Sequence, residues 1–316
     1  MSLPHWHRRL AAAFAGVILA TAATAATAVT AVTAATAANC PERAAVAAHV
    51  AALAQGRPGP GFGLQLEAGQ VDCARAALVR ALPAVLGQPV GYKAAFTGEA
   101  VQRRFGMQGP AWGVMFDRHL LPSGARLPAA FGAVPRYEPD LLVEVGSARL
   151  ADATTPAEAL DALRAIIPFI ELPDLVLEGP ANGYAIAAIN TGFRGGVLGA
   201  PIAVAEHREP LLAALADMRV VVRDAARDQQ LGQAAGESLM GHPLNAAIWL
   251  ARALREAGIE LRPGDLLSLG GFLPPARPEP GLQLEVHYRG LPGDPRVAVR
   301  FTGRGTPGSA EPGPES

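Results

Sequence analysis

Glu138 and Asp140 stand two residues apart in the segment Pro135-Arg136-Tyr137-Glu138-Pro139-Asp140-Leu141-Leu142-Val143-Glu144-Val145, which reads as a β-strand. Side chains two apart on a strand share a face, so these two carboxylates are expected side by side. Carboxylates that close repel each other unless one keeps its proton or a cation sits between them. A third acid, Glu171, closes the apolar run Ile166-Ile167-Pro168-Phe169-Ile170, where it would be aimed from the end of a buried segment. Oxygen-only donors favour Mg2+, Mn2+ or Ca2+ over zinc or copper. On spacing alone a hydrated acidic strand edge accounts for the same residues, and both readings stand. Glu144 shares the parity of the pair but lies further along the strand and reads as a surface acid. Pro139 removes a ladder donor, which puts this part of the strand at an edge, a first position or a bulge, and bulges are frequent beside active sites.

The elements that must position these acids follow a change of texture near Val90. Before it, residues 41–55 and 71–82 read as helices separated by the breaker cluster Gly56-Arg57-Pro58-Gly59-Pro60-Gly61. After it, short apolar stretches at 113–116, 141–145, 196–198, 219–222 and 282–288 alternate with turn residues, as strands do. Two helices are predicted among them, over 156–167 and over 243–257. The second has Pro243 in its first turn and Gly258 as its stop.

The first 38 residues read as a signal peptide: a basic start, an apolar core over 10–20, then Ala/Thr-rich small residues, with cleavage expected between 31 and 39. The apolar core is too short to span a bilayer, which needs about 20 such residues. Export gives the two cysteines, Cys40 and Cys73, a first reading as a disulfide, with two buried free thiols as the alternative. Organisation is expected as a helical region over 39–88, a catalytic domain over 89–302 and a disordered Gly/Pro/Ser/Glu-rich tail over 303–316. Half of the residues are hydrophobic and 17% are charged, enough to bury a large core, and the net charge of −1 offers no bulk attraction to nucleic acid or to an anionic membrane. Sparse aromatics and the absence of basic runs also count against nucleic acid, and no membrane association is expected after signal cleavage.

The stretch Gly241-His242-Pro243-Leu244-Asn245-Ala246-Ala247-Ile248-Trp249-Leu250-Ala251 resembles one found in 2-keto-4-pentenoate hydratases and related 4-oxalocrotonate decarboxylases, within the fumarylacetoacetate hydrolase-like group. Five further segments follow the same order: Val90-Gly91-Tyr92-Lys93-Ala94-Ala95-Phe96-Thr97, Trp112-Gly113-Val114-Met115-Phe116, the Glu138/Asp140 segment, Pro168-Phe169-Ile170-Glu171 and Leu261-Arg262-Pro263-Gly264-Asp265-Leu266-Leu267. The resemblance runs from about residue 47 to residue 301. It implies an α+β fold, a mixed β roll with flanking helices, and in many members an oligomer. It also implies Mg2+ or Mn2+ on Glu138, Asp140 and Glu171, chelating a small 2-oxo acid and stabilising its enolate for the addition of water. Lys93, the only lysine in the chain, is then the first candidate for proton transfer. His242, at a helix start that favours anions, either faces a substrate carboxylate or caps and packs. Thr97, Asn190 and Ser268, inside or beside the motifs, are the expected substrate contacts.

The chain departs from the family pattern near this site. Asp140 stands for a glutamate, Ile189-Asn190-Thr191-Gly192 for Asp-Asn-Ala-Ser, and Leu269-Gly270 for Thr-Gly. These losses fall on the substrate side, which points to a changed substrate, a changed reaction or lost catalysis. The leading expectation is a metal-dependent hydro-lyase acting on a small 2-oxo or 2-hydroxydienoic acid, periplasmic or secreted. The alternatives are an exported small-acid binding protein on the same fold, and a decarboxylase or C–C hydrolase of a related keto acid.

Overall fold

The structure, a computed structural model, describes residues 40–303, so the expected signal segment and all but the first residue of the expected tail lie outside the described residues. Three helices come first: α1 (Arg43–Ala54), α2 (Ala68–Val79) and α3 (Pro83–Leu86). Then follow β1 (Pro89–Ala95), α4 (Glu99–Phe105), β2 (Ala111–Phe116), β3 (Leu120–Pro122), β4 (Ala125–Pro128) and β5 (Glu138–Val145). Next come α5 (Pro156–Asp161), β6 (Leu163–Leu172), α6 (Gly183–Ala188), β7 (Gly195–Leu198), β8 (Ile202–Ala203), α7 (Val204–Asp217), β9 (Arg219–Asp224) and β10 (Gln229–Ala235). The chain closes with α8 (Pro243–Glu256), β11 (Leu266–Ser268), β12 (Gln283–Arg289) and β13 (Arg296–Thr302).

The strands form two sheets. The larger runs β2-β1-β11-β5-β6-β7-β3, with β8 also paired to β6; the smaller runs β10-β9-β12-β13-β4. Alternation along β5 divides the interior in two. Leu141, Val143 and Val145 point into a core shared with Val220, Val222, Leu284, Val286, Val297 and Phe301 of the smaller sheet. Leu142, with Ile167 and Phe169 of β6, points the other way, into a second core closed by Val46 and Leu53 of α1 and by Ala74 and Leu78 of α2. The N-terminal helices therefore form a roof over one face of the larger sheet. Cys40 and Cys73 are joined in a disulfide, tying the start of the roof to α2. This mixed-sheet architecture with flanking helices is the α+β fold that the resemblance implied. Among the described residues no helix is long and apolar enough to cross a membrane.

One element differs from expectation. The helix predicted over 156–167 stops at Asp161, and 163–172 is the central strand β6. A capping box between Thr155 and Glu158 starts the helix as the sequence suggests, but the Ile/Phe-rich run beyond it is buried on both faces between β5 and β7, where strand pairing satisfies its backbone. Pro168 fits inside this strand because it falls between the pairings to β7 and β8; Gly199 N–H reaches its carbonyl at 2.8 Å. Pro139 fits in β5 for a related reason. It lies past the end of β11, where Phe272 N–H of the following loop donates to its carbonyl at 2.9 Å.

A loop of 33 residues closed by the disulfide contributes about 3–4 kcal/mol in the chain-entropy model. Reduction, or Cys73→Ser, is expected to lower the urea midpoint by a corresponding amount, with the smaller sheet's packing signal unchanged below the transition.

Candidate functional site

The acids assemble on the roofed face of the larger sheet. Register pairing sets Glu138 on β5 directly opposite Glu171 on β6, and Asp140 opposite Phe169. On the other side of β5, Ser268 of β11 pairs with Leu142, and Lys93 of β1 pairs with Ser268. Directly paired residues share a face, so Lys93, Ser268, Asp140, Glu138 and Glu171 all project toward the roof. Lys93 and Glu171 form an ion pair with both side chains buried, and Lys93 Nζ also lies 3.4 Å from the Thr191 carbonyl. Asp140 is fully buried and accepts three hydrogen bonds: from Ser268 Oγ at 2.5 Å on Oδ2, and from Leu141 N–H at 2.5 Å and Gly270 N–H at 3.0 Å on Oδ1. Glu138 is partly exposed, at the open end of the group. A Cβ on Gly271 would come within 2.3 Å of Glu138 Oε2, so the glycine leaves that carboxylate its present position.

Beneath the acids, the Tyr288 hydroxyl holds the two strands together from the inter-sheet core. It lies against the Asp140 carbonyl, donates to the Phe169 carbonyl at 2.8 Å and accepts from Phe169 N–H at 3.3 Å. Burial raises the Tyr288 phenol far above its ordinary range, which keeps this proton in place.

Above them sits a strained turn. Asn190, Thr191 and Gly192 have φ of 60°, 52° and 68°, a left-handed run that is costly for the β-branched Thr191. The Asn190 carboxamide holds the turn: its Oδ1 accepts from Val114 N–H at 2.7 Å and its Nδ2 donates to the Val114 carbonyl at 2.8 Å. It thus pairs with the outer edge of β2 as another strand would. Gly113 beside it is fixed by contact, since a Cβ there would lie 2.5 Å from Thr191 Oγ1. Arg75 of α2 lies 3.5 Å from the centre of the Trp112 ring and donates to the Trp112 carbonyl at 3.2 Å, locking the roof to the same strand.

The expected residues divide accordingly. Lys93, Glu138, Asp140, Glu171 and Ser268 are brought together, and Thr97 packs on Gly270 at the rim. Two expected roles change. Asn190 spends its amide on Val114 and is a clamp rather than a free substrate contact. His242 caps α8: Nδ1 accepts from Leu244 N–H at 3.1 Å and Nε2 lies 3.0 Å from the Leu212 carbonyl, so neither nitrogen is free for chemistry. Burial lowers its affinity for a proton, in keeping with a neutral capping ring. The three carboxylates share a face without converging on a point; among the described residues no three His, Cys, Asp or Glu side chains are poised around one ion. The reason is that Asp140 is turned to Ser268 and Gly270, and Glu171 to Lys93. The left-handed turn, the Gly270-Gly271 approach and Tyr288 were not anticipated; of these only the paired glycines carried a visible signal. A cavity of about 250 Å3 lined by Asn245, Ile248, Trp249, Arg252, Ala253 and Glu256 lies on the outer side of α8 and shares no residue with the site.

Electrostatically the group holds three carboxyls against one ammonium, in surroundings poor in water. Burial first, then the Glu171 charge, push Glu138 up to about 8 against the pull of Lys93. The same two causes raise Asp140 to about 7, against the Ser268 hydrogen bond. At the rim, burial and then the neighbouring Arg277 lower the proton affinity of Arg136.

No protein-family model matches the chain. Among curated proteins, 2-keto-4-pentenoate hydratase 2 of Dechloromonas aromatica (strain RCB) is 28% identical over 252 residues, covering 78% of this chain and 94% of its own length. A 4-oxalocrotonate decarboxylase of Pseudomonas putida is 25% identical over 213 residues, 67% of this chain and 77% of its own. Among solved structures, 4-oxalocrotonate decarboxylase from Pseudomonas putida G7, complexed with magnesium and adipate, matches with a TM-score of 0.67 at 20% identity, covering 82% of this chain and 96% of that one.

Two measurements test the site's construction. Carboxyls raised in the fold bind protons that the unfolded chain, with ordinary values near 4, has already released. Stability therefore falls as pH rises from about 4 through the folded values of about 7 and 8. The metal-free protein is expected to show a lower urea midpoint at pH 8.5 than at pH 5.5; the reverse order would contradict the assignment. Asn190→Ala strips the Val114 backbone of both partners and is expected to cost about 2–4 kcal/mol, read by chemical denaturation.

Proposed function

We propose that this chain, a member of the 2-keto-4-pentenoate hydratase and fumarylacetoacetate hydrolase-like family, is a metal-dependent lyase that adds water to a small unsaturated 2-oxo acid. The observation that carries the reading is the buried ion pair of the chain's only lysine with Glu171, beside Glu138 and Asp140 on the same sheet face. Three carboxylates against one ammonium leave two negative charges in excess when all are ionised. A divalent cation balances that charge, and oxygen-only donors suit a hard ion. Glu138 and Glu171 would supply the oxygens able to turn toward it, and Asp140 a fixed one, since Ser268 and Gly270 hold its carboxylate. Such an ion, Mg2+ or Mn2+, would stabilise negative charge developing on the 2-oxygen of the bound acid. Magnesium in the matched decarboxylase structure supports the choice of ion class.

The remaining work belongs to the chain's own groups. Lys93 Nζ carries three donor protons and stands between Glu171 and the Thr191 carbonyl, so it would deliver a proton to the carbon chain and take one back. Lys93, Asp140 and Glu171 are themselves buried, which strengthens the charge interactions among them. Ser268 and Gly270 keep Asp140 from swinging away. The reading includes export: the Cys40–Cys73 disulfide supports maturation in an oxidising compartment.

Turnover with Mg2+ or Mn2+ across a panel of 2-oxo and 2-hydroxydienoic acids is the direct test, and silence across the panel removes the catalytic reading. Glu138→Gln is expected to abolish cation-induced thermal stabilisation. Lys93→Met is expected to keep cation binding while lowering kcat by about 10²–10⁴-fold, the usual scale of acid–base assistance.

A further inference from the structure

The outer side of the smaller sheet carries a buried nitrogen without a partner. On β12, Leu284, Val286 and Tyr288 point into the inter-sheet core, so alternation sends Glu285, His287 and Arg289 to the opposite face. Register brings their neighbours to the same side. Val221 of β9 and Arg296 of β13 flank His287, Arg223 and Ala298 flank Glu285, and Arg219 of β9 stands directly across from Arg289. This face is open: Arg219, Arg289 and Arg296 are exposed, yet His287 among them is buried.

Two features of the cluster work against stability. Arg289 Nε donates to His287 Nδ1 at 3.2 Å. A guanidinium has no lone pair to offer, so Nδ1 is the acceptor and the neutral ring carries its proton on Nε2. Burial first, then the charges of Arg296 and Arg289, keep the ring neutral against the weaker pull of Asp294 and Glu285. Among the described residues that Nε2–H has no acceptor, and an unmet buried donor loses its hydration with nothing in return. The second feature is the arginine pair itself, because like charges set directly across a ladder are destabilising. Among the described residues neither Arg219 nor Arg289 has an ion pair. The acids of this end of the sheet are turned elsewhere. Glu285 binds Arg296 at 3.0 Å, Asp228 binds Arg223, and Asp294 accepts from Gly290 N–H at 2.6 Å. Asp217, two residues before Arg219, is exposed and makes no ion pair either.

We propose that Arg219, Arg289 and the Nε2–H of His287 form a binding site for a phosphate group. One anion answers both features, accepting from the orphaned donor and neutralising the opposed guanidiniums. Two guanidiniums on adjacent strands and a buried ring N–H beside them present donors in more than one plane. That suits the tetrahedral oxygens of a phosphate better than the two coplanar oxygens of a carboxylate. Arg296, directly across from His287, gives one nitrogen to Glu285 and adds its charge to the same face. The site lies on the far side of the smaller sheet from Lys93 and the three acids, and nothing in it depends on the reaction proposed there. Inorganic phosphate, a soluble phosphate ester and a phospholipid headgroup share this chemistry, and an open sheet face admits each.

Calorimetric titration of the full-length protein with inorganic phosphate, in EDTA-treated buffer near neutral pH and at constant ionic strength, is expected to show one saturable site. Arg219→Gln and Arg289→Gln, both at exposed positions, are each expected to weaken it at least about tenfold, the scale of a lost charge-assisted hydrogen bond. His287→Phe, which keeps a ring in place and removes the donor, is expected to weaken it about fivefold. Arg300→Gln controls for charge alone: it is exposed on the same face, four residues along β13 from Arg296, about 13 Å away, and is expected to change the affinity less than about twofold. Absence of saturable binding, or an equal loss in Arg300→Gln, overturns the site. Glycerol 3-phosphate and sedimentation with phosphatidic acid vesicles separate the sources. Capture by these vesicles and not by phosphatidylcholine alone, lost in Arg219→Gln and Arg289→Gln, supports the site with a lipid headgroup as its ligand. Binding of glycerol 3-phosphate without vesicle capture supports it with a soluble ester. Vesicle capture that survives in both variants, without saturable phosphate binding, overturns it.

Discussion

Concentrating three carboxylates and one ammonium on a buried sheet face is the constraint from which the rest of this structure follows. Charges removed from water must be paired or hydrogen-bonded, and a surplus of one sign is sustained only where the surroundings fix every participant. Lys93 compensates Glu171, and Asp140 is compensated by one hydroxyl and two backbone N–H groups. Glu138 is left at the open end with the least support. The site thus grades from satisfied to unsatisfied across the three strands, with Glu138 as its least supported and most exposed member.

Much of the scaffold exists to keep that gradient rigid. Tyr288 holds β5 against β6 from below, where a slip of β5 by one register position would turn Glu138 and Asp140 into the inter-sheet core. From above, Asn190 closes the edge of β2 and holds Thr191 in a backbone conformation it would not adopt alone. The cost of that turn is borne by the two amide hydrogen bonds and by the packing of α2 on Trp112. The glycine at 113 is a contact requirement: a methyl group there would lie 2.5 Å from Thr191 Oγ1 and 2.9 Å from the Asn190 carbonyl.

The parts of this that could be read from the chain are those governed by local rules. Period-two alternation placed Glu138 and Asp140 on one face, and proline and glycine bracketed the helix at 243–256 correctly. Order of motifs predicted the α+β fold, and the cysteines did pair. What stayed hidden depends on partners distant in sequence. Ser268 lies 128 residues from the carboxylate it binds, and nothing local says that Asp140 will be occupied by it. The helix signal after Thr155 was real but ended six residues early, because burial between two strands outweighed propensity. Thr191 is the hardest case, since a β-branched residue argues against the conformation that it adopts.

The disulfide also bears on what a protease could do to this chain. Between Cys40 and Cys73 the chain passes through Gly56-Arg57-Pro58-Gly59-Pro60-Gly61, in which Arg57 and Pro58 are exposed, the type of segment that proteases nick first. A single cut anywhere in that interval leaves both ends covalently joined. The severed α1 stays docked on the same hydrophobic cluster as α2, as an intramolecular guest at high effective concentration. A nicked molecule therefore keeps its roof, and enzymatic damage at its most vulnerable loop becomes a change of covalent topology rather than a loss of structure.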